Sequence, residues 1–385
     1  MTMSLPGEPL TLNVEQALID DLFVRLENVR LPSEQAGPDW GTGTPISFMQ
    51  RLLVHWRSSF SWRDWERRIN SFENRMVEVD GVQLHVLIEQ GSGDNPLPLV
   101  LTNGWPGSFL EYLSIVEPLA HPEKHGGKAE DAFTVIIPSL PGYGLSPAPP
   151  APISPRDIAG LWSRLLVDEF GLDHFGALGS DWGSLVTGQW AHHYPQGLCG
   201  VFLTLPGGVP AFDENSPPLS EAELAWQQKA HASNMREGAY QALQATKPQS
   251  LAYGFADSPV ALAAWIAEKF RGWSVPDEAG DPPMTMDEVI ANIMLYWING
   301  ATAPLWLYMF LGEFAQPGSA AGRPSFPAGF FLGGDDLIPP APREWLERSF
   351  DVARYTVSEK GGHFPGYDNP EMLVAELRAF FQPLR

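Results

Sequence analysis

The sequence predicts an α/β protein: a mostly parallel sheet with helices on both faces, wrapped by an N-terminal segment and covered by a helical insertion. Three observations predict it. Apolar runs at 97–102, 134–138, 174–178 and 199–205 alternate with helical patterns, the rhythm of parallel strands joined by crossover helices. One of these runs, His174-Phe175-Gly176-Ala177-Leu178, passes through Gly179-Ser180-Asp181-Trp182-Gly183 straight into a helix start at 184–190, a strand, tight turn and helix with an acid at the tip. From about 209 to 324 strands vanish and helices rich in Ala, Gln, Trp and Tyr take over, before strand patterns return at 329–334 and 351–357.

Composition bounds the function. A chain of 385 residues that is 44% hydrophobic buries a large core, and its formal charge of −22 makes nucleic acid and anionic membrane surfaces poor partners. A neutral small-molecule substrate suits it better. The single cysteine, Cys199, excludes an intrachain disulfide, fits a reducing cytoplasmic compartment, and reads as a packing residue among apolar neighbours. The first 16 residues carry neither a basic stretch nor an apolar run, so no signal peptide is expected.

Taken in order, residues 1–80 read as an extension outside the sheet. Asn13 and Gln16 have capping-box spacing before Leu18, Leu22 and Leu26 on one helical face. A Pro- and Gly-rich meander at 31–45 precedes a helix carrying Phe48, Leu52, Leu53 and Trp56, and Trp62, Trp65 and Ile69 mark a third. So many large apolar groups in a short segment must pack against the rest of the chain. The core then runs over 81–208 and 325–385, with the helical lid at 209–324. Alternation on both sides of Asp80-Gly81 reads as a hairpin, and 155–170 as the helix before the elbow strand. The uncharged stretch 289–312 is long enough for a membrane span, but Asn299-Gly300 and Pro304 interrupt it and no basic residue flanks it, so a buried helix pair is expected.

The elbow carries the chemistry. Its turn needs small residues at 179 and 183 because helix and strands approach too closely for larger side chains, and it holds Asp181 above the sheet where a lipase carries serine. An α/β-hydrolase orders its triad nucleophile, acid, histidine. Among nine histidines, only His363, in Lys360-Gly361-Gly362-His363-Phe364-Pro365, follows the last strand and precedes the last helix. His121 and His125 have a spacing that suggests metal, yet Pro122 and Gly126-Gly127 make that segment a loop. Asp335 and Asp336 both stand after the preceding strand, where the acid that orients the imidazole belongs, and position alone leaves both open. Asn103-Gly104-Trp105-Pro106 sits where the second half of an oxyanion hole belongs, with the amides of Trp105 and Trp182 as its donors.

In their order, Asn103-Gly104-Trp105-Pro106-Gly107-Ser108, Gly179-Ser180-Asp181-Trp182-Gly183 and Lys360-Gly361-Gly362-His363-Phe364-Pro365, with the N-terminal extension, resemble the microsomal-type epoxide hydrolases of the α/β-hydrolase superfamily, and their soluble bacterial branch in particular. The resemblance runs nearly end to end. It implies Asp181 as nucleophile, His363 as base and Asp336 rather than Asp335 as the acid. It also implies two lid tyrosines that bond the epoxide oxygen, Tyr240 in Glu237-Gly238-Ala239-Tyr240-Gln241 and, within one residue, Tyr308. Trp226 with Gln227 or Gln228 is expected at the pocket mouth. The chain departs from the family in carrying Asn103 where members usually have histidine.

The implied reaction opens a bulky neutral epoxide to a vicinal diol through an aspartyl ester, without metal or organic cofactor, in detoxification or natural-product biosynthesis. A haloalkane dehalogenase would share the ester chemistry and a tryptophan after the nucleophile, but would grip halide with N–H donors rather than place two phenols at an alkoxide. A non-catalytic binding protein would have no need of an ordered triad. The chain is compatible with a homodimer.

Overall fold

The computed structural model describes residues 5–33, 37, 39–212, 214–314, 322–334, 338–358 and 361–385, with the side chains of residues 313 and 314 left aside. A sheet of nine strands forms its centre: β1 (Glu8–Pro9), β2 (Glu73–Val79), β3 (Val82–Glu89), β4 (Leu97–Thr102), β5 (Phe133–Pro138), β6 (Phe175–Gly179), β7 (Leu198–Leu203), β8 (Pro327–Leu332) and β9 (Asp351–Val357). Their spatial order is β1-β2-β3-β5-β4-β6-β7-β8-β9. From β5 onward every pairing is parallel, whereas β1, β2 and β3 join antiparallel. The sheet is therefore mixed. All six residues of β5 and all five of β6 are buried, as expected of strands covered on both faces. Each large apolar side chain so enclosed contributes about 1.5–3 kcal/mol.

The extension differs from expectation in two ways. It is not wholly outside the sheet: Glu8 and Pro9 add an edge strand to β2, which itself begins at Glu73. The capping box does not form either. The helix Gln16–Glu27 starts without a side-chain cap: the side-chain oxygens that would make the box accept from Arg63 instead, Asn13 Oδ1 at 3.5 Å and Gln16 Oε1 at 2.7 Å, while Glu66 takes the Val14 N–H at 2.7 Å. The helices Ile46–Ser58 and Trp62–Ile69 bury Phe48, Leu52, Leu53, Trp56, Trp62, Trp65 and Ile69 as their spacing demands. The extension packs against the lid, where Thr44 donates to the Ala264 carbonyl at 2.6 Å and Arg25 of the first helix to that of Asp257 at 2.6 Å.

Asp80 and Gly81, both at positive φ, close the β2–β3 hairpin. The lid comprises helices Glu221–Glu237, Ala239–Thr246, Pro248–Asp257, Pro259–Gly272 and Met286–Asn299, then a 3-10 turn Ala303–Phe310. Ser220 with Glu223 and Thr285 with Glu288 form complete capping boxes, and Pro248 and Pro259 open their helices where a missing N–H costs nothing. The apolar 289–312 stretch folds as a buried helix and the 3-10 turn, broken at Gly300. Among the described residues no helix is long and apolar enough to cross a membrane.

His85 of β3 is fully buried, with Nδ1 2.9 Å from Ser139 Oγ and Nε2 2.9 Å from Asn74 Oδ1. Burial lowers its pKa to about 3. The unfolded chain takes up this proton near pH 6.5 and the folded chain does not, so the stabilisation is complete above that pH and is lost as pH falls toward 3. Denaturation of the wild type and His85→Gln between about pH 4 and pH 7 is expected to show the steeper acid loss in the wild type. Equal slopes would remove His85 as the cause.

Candidate active site

The carboxyl ends of β4 and β6 lie side by side, Thr102 opposite Gly179, and the loops leaving them build the site. At the elbow the Ser180 amide donates to the Thr102 carbonyl at 2.9 Å and the Ser184 amide to that of Asp181 at 2.9 Å. This turn forces Asp181 to φ 48°, ψ −124°, a conformation that costs about 1–3 kcal/mol and aims its side chain out of the sheet. A Cβ on Gly183 would stand 1.9 Å from the Thr102 oxygen, so the helix Trp182–His193 meets β4 only because residue 183 is glycine.

Asp181 is held at both oxygens. Oδ1 accepts the Trp105 amide at 2.8 Å, and Oδ2 lies 2.8 Å from His363 Nε2. Gly104 lets this happen, since a Cβ there would fall 2.0 Å from Oδ1 and 2.5 Å from the Trp182 nitrogen. The Trp182 amide thus adjoins the spot that Trp105 serves. Asn103 is buried, donates to the Gly104 carbonyl at 3.1 Å, and leaves Oδ1 without a bond among the described residues. The His363 amide donates to the Trp273 carbonyl at 2.7 Å, and Asp368 Oδ2 accepts the Gly362 amide at 2.7 Å, so the backbone leading into the ring is pinned at two successive amides. Asp335 and Asp336 lie outside the described residues.

Tyr240 and Tyr308, from separate lid segments, are 4% and 2% exposed with rings 5.6 Å apart. Trp105 stacks on Tyr240 at 5.4 Å, and Trp182 meets Tyr308 edge-on at 4.9 Å. Burial raises the Tyr308 pKa well above that of an ordinary phenol, with Tyr240 and Asp181 adding to it. The neighbouring Trp182 side chain draws it slightly back, although the Tyr308 hydroxyl completes no well-formed hydrogen bond among the described residues. Both phenols and Asp181 face one cavity of about 320 Å³, with Leu185, Val209, Trp226 and Leu311 among its walls. Trp226 is fixed there by its indole N–H, which donates to the Pro339 carbonyl at 2.9 Å. Gln227 is not part of this wall; Gln241, beside Tyr240 in the chain, lines it instead.

Several contributors carry no sequence signal of their own. Asn292 of the helix Met286–Asn299 donates to the Pro106 carbonyl and accepts from Ser108 Oγ, both at 2.7 Å, while Tyr296 donates to the Gly107 carbonyl at 2.8 Å. The lid thereby holds the loop that supplies the Trp105 amide. Glu111, fully buried on the same loop's continuation, has its pKa pushed up to about 8 by burial, against the pull of His363. Asp368 is pushed up to about 6 for the same reason. Elsewhere, His121 pairs with Glu89 at 2.8 Å beside the turn Pro122–His125.

Residues 7–112 match the family model described as the epoxide hydrolase N terminus, and residues 97–370 match that of the alpha/beta hydrolase fold. A Stigmatella aurantiaca protein, whose epoxide-hydrolase name is provisional, is 38% identical over 98% of this chain and 85% of its own length. Epoxide hydrolase 1 of Oryctolagus cuniculus is 27% identical over 97% of this chain and 88% of its own. The solved structure of Aspergillus niger epoxide hydrolase superposes with a TM-score of 0.85 at 25% identity, covering 100% of this chain and 98% of that one. The juvenile hormone epoxide hydrolase of Bombyx mori shares the fold at the same TM-score of 0.85, covering 100% and 96%.

Proposed function

We infer the reaction from one premise: the chain belongs to the epoxide hydrolases of the α/β-hydrolase fold, enzymes whose substrates are small-molecule epoxides. Within them we place it beside the microsomal-type members, a reading supported by the N-terminal match and the end-to-end likeness to the rabbit enzyme. A cytoplasmic site of action fits the lone cysteine.

The observation that carries the mechanism is the double hold on Asp181 beneath two buried phenols. An epoxide is strained but leaves as an alkoxide, so opening it near neutral pH needs attack and acid assistance together. Oδ2 of Asp181 attacks a ring carbon, the carbon–oxygen bond breaks, and Tyr240 and Tyr308 bond to or protonate the departing oxygen. Oδ1 stays with the Trp105 amide and becomes the ester carbonyl. Water, deprotonated by His363 with Asp336 as the orienting acid, then adds to the ester carbon. The amides of Trp105 and Trp182 hold the resulting oxyanion until the diol leaves. The apolar wall suits a bulky neutral epoxide. A dehalogenase reading has no use for paired phenols at the leaving group.

The route of oxygen tests this. In a single turnover with enzyme in excess in ¹⁸O-water, the label is expected in the Asp181 peptide and not in the diol. Label in the diol on the first turnover would mean that water attacks the epoxide directly, and the ester would be abandoned.

A further inference from the structure

Tyr240 has a charged neighbour that this scheme leaves unused. Lys269, on the lid helix Pro259–Gly272, has a side chain only 7% exposed, and its Nζ stands 4.6 Å from the centroid of the Tyr240 ring. The rings of Trp265 and Trp273 lie 5.7 and 5.8 Å from the same atom. Taking an ammonium out of water is expensive unless something replaces its hydration. Here the replacement is the electron-rich faces of three aromatic rings and an ion pair with Glu268, its chain neighbour.

We infer that Lys269 is a positioning residue for ring opening: it fixes the Tyr240 ring and stabilises the negative charge that ring acquires as its proton passes to the epoxide oxygen. The inference rests on the acid role given to Tyr240 above. In that step the phenol O–H and the epoxide C–O bonds break, and the freed electron pair takes the proton. Phenolate remains until ester hydrolysis releases one proton to restore it. A cation over the ring favours the phenolate more than the phenol, so its effect is larger after proton transfer than before, which is the requirement for a rate effect.

The other charges near Tyr240 do not duplicate this. A second cavity, of about 950 Å³, lies on the Lys269 side of Tyr240 between the lid and the 39–51 segment. Arg51, Arg236, Arg271 and Lys269 line it, against Asp39, Glu237, Glu268 and Asp281, so its formal charges cancel. Toward the substrate Tyr240 meets Asp181 and Tyr308 across the first cavity, with His363 bonded to Asp181 and Tyr143 interacting from the core. Lys269 differs from the other cations in lying over the ring.

The test uses styrene oxide as probe and reads two things: the single-turnover rate of ester formation, and the pH profile of kcat/KM. Lys269→Met is expected to slow ester formation about tenfold and move the basic limb to higher pH, while Lys269→Arg restores most of both. Combined with Tyr240→Phe, Lys269→Met is expected to add little. Glu268→Gln, which frees the ammonium from its partner, is expected to move the basic limb to lower pH, and serves if Lys269→Met does not fold. If Tyr240→Phe slows ring opening but Lys269→Met changes neither readout, or acts equally with and without the phenol, the inference fails alone. An unmoved basic limb in Glu268→Gln also overturns it. If Tyr240→Phe opens the epoxide at the wild-type rate, the acid role itself fails, and this inference with it.

Discussion

Asp181→Asn is expected to abolish diol formation, lowering kcat by on the order of 10⁴-fold or more, the scale on which removal of a catalytic nucleophile or its partner acts. An amide is no nucleophile toward an epoxide carbon. Yet its oxygen still accepts the Trp105 N–H that Oδ1 takes at 2.8 Å, so the elbow keeps its geometry and the loss is chemical rather than structural. The measurement is steady-state turnover with the asparagine shown intact by mass spectrometry. Normal rates from that intact variant would sink the assignment of Asp181.

His363→Gln is expected to separate the two half-reactions. Ring opening needs the Asp181 carboxylate and the lid phenols, whereas hydrolysis needs a base for water, which glutamine cannot be. The variant should therefore open epoxide once and stall, and intact mass should rise by the mass of one substrate mapped to Asp181. Styrene oxide and 1-bromobutane run in parallel distinguish the leaving groups. An adduct with the epoxide supports the proposed reaction, and one with the haloalkane alone would transfer the enzyme to halide chemistry. No epoxide adduct in the variant, with wild type turning styrene oxide over, would rule out the stalled ester.

Much of this site was legible in the chain because its constraints are local. A tight strand-to-helix turn can be made by few residues, so Gly179 to Gly183 announces itself, and the Asn103-Gly104-Trp105-Pro106 loop follows from its place after a buried strand. The succession of strand patterns along the chain and the helical lid were legible for the same reason, since period and Pro breaks are properties of short windows. Long-range choices were not. Arg63 reaches back across 47 residues to the Gln16 side-chain oxygen and across 50 to that of Asn13, drawing off the groups whose spacing suggests a cap. A two-residue edge strand at Glu8 has too little pattern to register against any turn signal. Trp226, Ala230 and Asn234 turn one face of the Glu221–Glu237 helix to the cavity and leave Gln227 off it, while Gln241 enters from the next helix, a convergence no single window contains. Lys269 and Asn292 look like ordinary helix residues until partners far along the chain surround them.

The hydrogen bonds that tie Asn292 and Tyr296 to the 106–108 segment make the lid and this loop one mechanical unit. A chimera that exchanges only the helical insertion between relatives, to import a new substrate range, would strand Ser108 Oγ and two loop carbonyls in a dry interior. Grafts across this family should therefore carry 103–108 and the Met286–Asn299 helix together, and libraries that vary one while freezing the other will select mostly for repair of that seam.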